Sequence, residues 1–292
     1  MTMVGSKTIV NVYQPGSRHM VGDGFEVRNM FPSNNVGSQI SPFLLLDYAG
    51  PTYYAPTDQP RGVGEHPHRG FETVTIVYQG AVDHRDSTGN AGTIGPGDVQ
   101  WMTAASGVVH EEKHQKDFAK QGGTLEAIQL WVNLPKAFKM GPPRYQTILN
   151  YDIPIVTLAE GAGSLRVIAG EFEGRKGPAT TFTPMHLYDL GLKAGHRTEL
   201  TVSSGYNTAL FVLHGQVVLN NTQSAHNAEL VLFDKEGNHI VIDTQRDATV
   251  LLLSGEPIHE PVASYGPFVM NTQAEILQAM NDYRAGKMGH LS

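Results

Sequence analysis

Apolar and β-branched residues fall in short runs along most of this chain. Thr73-Val74-Thr75-Ile76-Val77-Tyr78 stops at Gln79-Gly80, and Ala127-Ile128-Gln129-Leu130-Trp131-Val132 has a similar make-up. Further runs cover 209–213, 216–219, 239–242 and 249–253, bounded by Gly, Asn, Asp or Pro. Residues of this kind fit a pleated, half-buried surface. Many short strands without interleaved helices predict an all-β chain of antiparallel barrels or sandwiches. One helix is expected, near the C-terminus. Thr272-Gln273-Ala274-Glu275 has the capping-box pattern, Ile276, Leu277, Met280 and Tyr283 recur at helical spacing, and Gly286 is a natural stop. Four apolar positions of this kind make a stripe for packing on a core.

The run Thr73–Gly80 is echoed by Thr208–Gly215, 135 residues later. Two copies of one β-domain follow from this, and 292 residues suffice for two domains of ordinary size. The division is expected in the Pro/Gly-containing stretch 134–151, giving domains 1–138 and 139–292. Composition agrees with a folded β protein: 40% hydrophobic, 17% charged, with 32 Gly and 17 Pro dispersed as turn residues.

Charge and composition narrow the function. The net charge is −7 and no run of five or more Lys/Arg occurs, so no nucleic-acid footprint is expected. Without cysteine there is no disulfide, thiolate ligand or cysteine nucleophile. No stretch reaches the ~18 apolar residues of a membrane span, and the first twenty residues lack an apolar leader. The expectation is a soluble, cytoplasmic protein that binds no membrane.

The candidate chemistry lies in histidines. In Glu65-His66-Pro67-His68-Arg69-Gly70-Phe71-Glu72, an extended backbone points residues i and i+2 to one side, so His66 and His68 can share a target. Pro67 stiffens the chain between them. Glu72 has the same parity. Downstream, Gly107-Val108-Val109-His110-Glu111-Glu112 offers His110 and Glu112, again two apart. Three imidazoles and a carboxylate form a mixed N/O shell suited to one divalent transition metal: Fe(II), Mn, Ni, Cu or Zn. Spacing leaves Glu72 and Glu112 equally eligible as the carboxylate. Arg69 is expected to pair with a carboxylate, with Glu72 at hand. Trp101 and Met102 read first as core and second as the wall of an aromatic pocket. No Gly-x-Ser-x-Gly elbow or phosphate-binding Gly-rich loop occurs.

His66-x-His68-x₃-Glu72 and Gly107-x₂-His110 resemble the two metal motifs of the cupins, which are small jelly-roll barrels. The resemblance to the pirins, a two-cupin family, is closer. It rests on Pro42–Asp47, His66–Val74, His84-Arg-Asp-Ser-Thr-Gly89, Gly97–Ala104, Leu130–Leu134 and Gly266–Met270. Ala105 and Ser106 depart from the Gly-Arg or Gly-Ser common there. The resemblance implies two antiparallel jelly-roll barrels with a C-terminal helix, and one metal in the first barrel, Fe(II) foremost. It further implies His66, His68, His110 and Glu112 as ligands, with the position of Glu72 close by but outside the set. Bacterial pirin-like proteins resemble quercetin 2,3-dioxygenases, which open a flavonol with O₂ and release carbon monoxide. That implies a flavonol and O₂ as substrates, with Glu112 or Glu72 as catalytic base. The alternative is an iron-dependent, redox-sensing regulator that binds a transcription factor or a metabolic enzyme as protein partner. Shifted by 135 residues, His66, His68 and Glu72 become Thr201, Ser203 and Asn207, so no second metal is expected.

Overall fold

The computed structural model describes residues 5–31 and 39–291, and every strand ladder among them is antiparallel. The chain forms two all-β antiparallel domains and one C-terminal helix, as the strand pattern and the family resemblance both implied. Contacts divide it into two compact units. One gathers 17–31, 43–150 and 258–291; the other gathers 5–16, 39–42 and 151–257. The units are thus discontinuous, whereas a single division at 138/139 was expected.

The first unit is a sandwich of a seven-stranded and a four-stranded sheet. The larger sheet is centred on Phe71–Gln79, paired on one side with Val99–Thr103 and on the other with Gly123–Asn133, which in turn pairs with Phe43–Tyr54. The smaller one is Gly62–His68, Val108–His114, Val82–Asp86 and Ala91–Ile94, in that order. Both faces of Phe71–Gln79 are covered: Phe71 through Val77 are all buried, Glu72, Thr73 and Thr75 included.

The other unit is one nine-stranded sheet centred on Asn207–Leu219. That strand lies between Glu229–Phe233 and His239–Gly255, followed by Met185–Leu192 and Gly163–Ala169. This order matches the order around Phe71–Gln79, so the sequence echo between Thr73–Gly80 and Thr208–Gly215 marks topologically equivalent strands. Its core includes Leu165, Leu190, Leu210, Val231, Ile242 and Leu252.

Two differences from the sequence reading have clear causes. The runs 209–213 and 216–219 are one strand, as are 239–242 and 249–253. The chain passes Gly215 as a bulge at φ +92, where a Cβ would sit 2.3 Å from Asp247 O. The C-terminal helix, Gln273–Arg284, is capped as expected: Glu275 N donates to Thr272 Oγ1, and Glu275 Oε2 accepts from Asn271 N. Its packing stripe is Ile276, Ala279 and Met280, however, while Leu277 and Tyr283 are exposed. The stripe packs on Val109, Phe268 and Met270, and so the helix belongs to the unit that carries His66, His68 and His110.

Candidate metal centre

Strand register assembles the site. In the four-stranded sheet His66 stands opposite His110, Asp86 also stands opposite His110, and His84 stands opposite Glu112. Cross-strand partners share a face. Those residues, with His68 two along from His66, therefore form one polar patch facing the seven-stranded sheet. That sheet answers with Gln100, Thr75 and Gln129, mutually registered across three strands.

His66, His68 and His110 each offer a ring nitrogen within 4.8 Å of the others. Their ring centroids are 4.3–4.9 Å apart. Neighbours engage the Nδ1 atoms: His66 Nδ1 donates to Gly64 O at 2.8 Å, and His68 Nδ1 to Pro267 O at 3.4 Å. Each such bond places the proton on Nδ1 and leaves the Nε2 lone pair free. His110 Nε2 is buried and has no hydrogen-bond partner. An orphaned buried nitrogen costs free energy that a bound cation would return. Burial, and then the charge of His66, push the His68 imidazole down to about 3. Burial also holds His110 well below its usual value, with His68, His66 and His84 adding to the effect. The His68 and His110 rings are therefore neutral, as ligands must be. This donor set fits a transition metal.

Glu112 falls in an overlapping second group with His84 and His110. Its oxygens accept only long hydrogen bonds, 3.2–3.4 Å, from Thr75, Gln100 and Gln129. Beside it opens a largely apolar cavity lined by Phe25, Val27, Val82 and Ile128, with Asp47, Thr75, Glu112 and Gln129 as its polar wall. The cavity is small, about 30 Å³, room for a water or two.

Glu72 belongs to neither group. The parity that linked it to His66 and His68 is broken at Gly70, where φ is +90 and a Cβ would meet Val269 O at 1.9 Å. After that turn the alternation restarts. Phe71, two residues before Thr73, packs on His68 at 5.0 Å, while Glu72 faces the other way and accepts from Thr103 Oγ1 at 2.7 Å. Burial pushes the Glu72 carboxyl up to about 7, against the Thr103 bond, and its Oε2 has no partner. Arg69 does not pair with Glu72. It forms a buried 2.9 Å ion pair with Asp282 on the C-terminal helix and donates through Nε to Ser106 O at 2.6 Å. Trp101 and Met102 are fully buried, and neither lines the cavity beside Glu112.

Family models for pirin and for the pirin C-terminal cupin domain match residues 24–132 and 187–289. The chain belongs to the pirin family. A Pseudomonas aeruginosa protein named "Putative quercetin 2,3-dioxygenase" is 52% identical over 281 residues, 96% of this chain and 98% of that one. A tomato (Solanum lycopersicum) pirin-like protein is 41% identical over 92% of this chain and 88% of its own length. The crystal structure of a quercetin 2,3-dioxygenase from Acinetobacter baumannii is 49% identical. It superposes with a TM-score of 0.95, covering 98% of this chain and 99% of that one.

The sequence reading passed over three residues of the site. His84 and Asp86 were visible as a His-x-Asp pair of the same parity as His110-x-Glu112, but a lone strand histidine carries little weight. Asp282 left no local signal, being 213 residues from Arg69.

Proposed function

We propose that the chain is a metal-dependent dioxygenase of the quercetinase type, opening the heterocyclic ring of a flavonol with O₂ and releasing carbon monoxide. The observation that carries this reading is the convergence of three imidazoles, half-buried His66 and buried His68 and His110, with no protein partner for His110 Nε2. These three, with Glu112 as carboxylate, would hold one divalent ion, Fe(II) foremost. Such an ion supplies a binding point for an ionised phenol and a redox path to O₂.

The chain's own residues supply the rest. Glu112, loosely held by Thr75, Gln100 and Gln129, is the base positioned to take the flavonol 3-hydroxyl proton. Half-buried Trp131, whose ring lies 5.3 Å from that of His68 and is backed by the buried Phe71, gives a planar substrate an aromatic surface. The names of the bacterial relatives support the same substrate class.

The test is anaerobic loading with Fe(II), followed by quercetin and O₂ with carbon monoxide assayed. Carbon monoxide should appear in step with quercetin loss, and neither should occur in metal-free protein or in His66→Ala. Loaded protein that leaves quercetin intact would overturn the enzyme reading in favour of an iron-dependent regulator.

A further inference from the structure

His84 is buried on Val82–Asp86, two strands across the sheet from the strand that carries His66 and His68, and the reaction outlined above gives it no task. Its surroundings define its protonation. The Asp86 carboxylate accepts from Thr88 N and Oγ1, from Asn90 N and from the Asn90 amide. A carboxylate with so many donors is an anion, and His84 Nε2 lies 3.4 Å from its Oδ2. The His84 proton therefore sits on Nε2. Gln100 gives the same answer independently. Tyr145 OH donates to Gln100 Oε1 at 3.1 Å, which turns the Gln100 amide nitrogen toward His84 Nδ1 at 3.2 Å. His84 Nδ1 is thus an acceptor. Tyr145 also stacks on the His84 ring, with centroids 4.8 Å apart and planes 20° from parallel, which fixes the orientation.

The other group facing His84 Nδ1 is His110 Nδ1, at 3.4 Å. Two facing ring nitrogens can bond only if one bears the proton, and His84 Nδ1 does not. We infer that His84 is a positioning residue: its one Nδ1 lone pair, shared between the Gln100 amide and His110, accepts the Nδ1 proton of His110 and fixes the tautomer whose Nε2 lone pair is free for a metal, while Asp86 holds the opposite edge of the ring. A carboxylate–histidine–histidine line results, one imidazole longer than the usual carboxylate–histidine support of a metal ligand. The inference rests on the reading of His110 as a ligand, but it does not depend on the reaction catalysed.

Histidine ¹⁵N NMR on the full chain, metal-free and titrated with Zn(II), tests it. In metal-free protein, His84 should be protonated at Nε2 only and His110 at Nδ1 only. On adding Zn(II), His110 Nε2 should shift while both His84 nitrogens keep their protonation. His84→Phe keeps the stack on Tyr145 but removes the acceptor. It should weaken Zn(II) binding about 10–100-fold and let His110 populate both tautomers, and His84→Gln, which restores an acceptor, should recover most of the affinity. Direct coordination of Zn(II) by His84 Nδ1, or the opposite tautomers in the unmutated protein, would overturn the assignment. So would a folded His84→Phe chain with unchanged affinity. Failure of the carbon monoxide assay alone would touch only the dioxygenase reading.

Discussion

Glu72 shows how one backbone torsion can undo an argument from alternation. His66 and His68 were legible because an extended segment keeps i and i+2 on one side. Continuing the count to Glu72 failed because Gly70 turns the chain at φ +90. The buried carboxyl that results has its own pH behaviour. Burial raises it from 4.5 to about 7. Between those values the folded chain keeps a proton that the unfolded chain has released, so stability falls as pH rises across that window. Glu72→Gln should therefore match the parent near pH 4 and exceed it in stability above pH 7, as read by urea denaturation of the metal-free protein. The same variant should retain its metal, whereas Glu112→Ala should lose most of it. The reverse result in an equilibrium-dialysis assay would show that the two carboxylates have been assigned the wrong way round. Ala105 adds a second strained position: it holds φ +43, a left-handed conformation that favours glycine.

Among the elements, the C-terminal helix is more than cover for an apolar patch. Its start was readable from Thr272 and Glu275, which are local signals, but its destination was not. Leu277 and Tyr283 fit a helical stripe as well as Ala279 does, and only the packing on Val109, Phe268 and Met270 selects the true face. From that face Asp282 reaches Arg69, which also holds Ser106 O, and Lys287 and Gln278 complete the carboxylate's bonds. One aspartate thereby ties the loop after His68 to the loop before His110. Removing it would leave a buried guanidinium without its counter-ion, a loss of about 3–5 kcal/mol. Asp282→Ala should show this in chemical denaturation and should also weaken metal binding, although Asp282 touches none of the four proposed ligands. A variant as stable as the parent would mean that solvent reaches Arg69 easily.

At the scale of the whole chain, the doubled β-domain was legible because strands at equivalent places in two sheets keep similar sequences. In the second copy Thr201, Ser203 and Asn207 stand 135 residues after His66, His68 and Glu72, so a metal is expected in the first copy alone. One tightly bound metal per chain is the expected result of elemental analysis after dialysis, falling to none in a His66→Ala, His110→Ala double variant. Two ions per chain would contradict it.

The path of the chain also bears on how the protein is made. The first strand, Ile9–Tyr13, pairs with Glu229–Phe233, and the last helix closes the unit that began at residue 17. Neither unit can be finished as the ribosome delivers it, because each waits for a segment made after part of the other unit. During synthesis His66, His68 and His110 leave the exit tunnel long before Asp282 can secure their loops. A nascent chain would therefore capture metal weakly until its final turns emerge, and a stop codon placed just before Gln273 should yield a product that is prone to proteolysis and poor at retaining metal, despite carrying every proposed ligand.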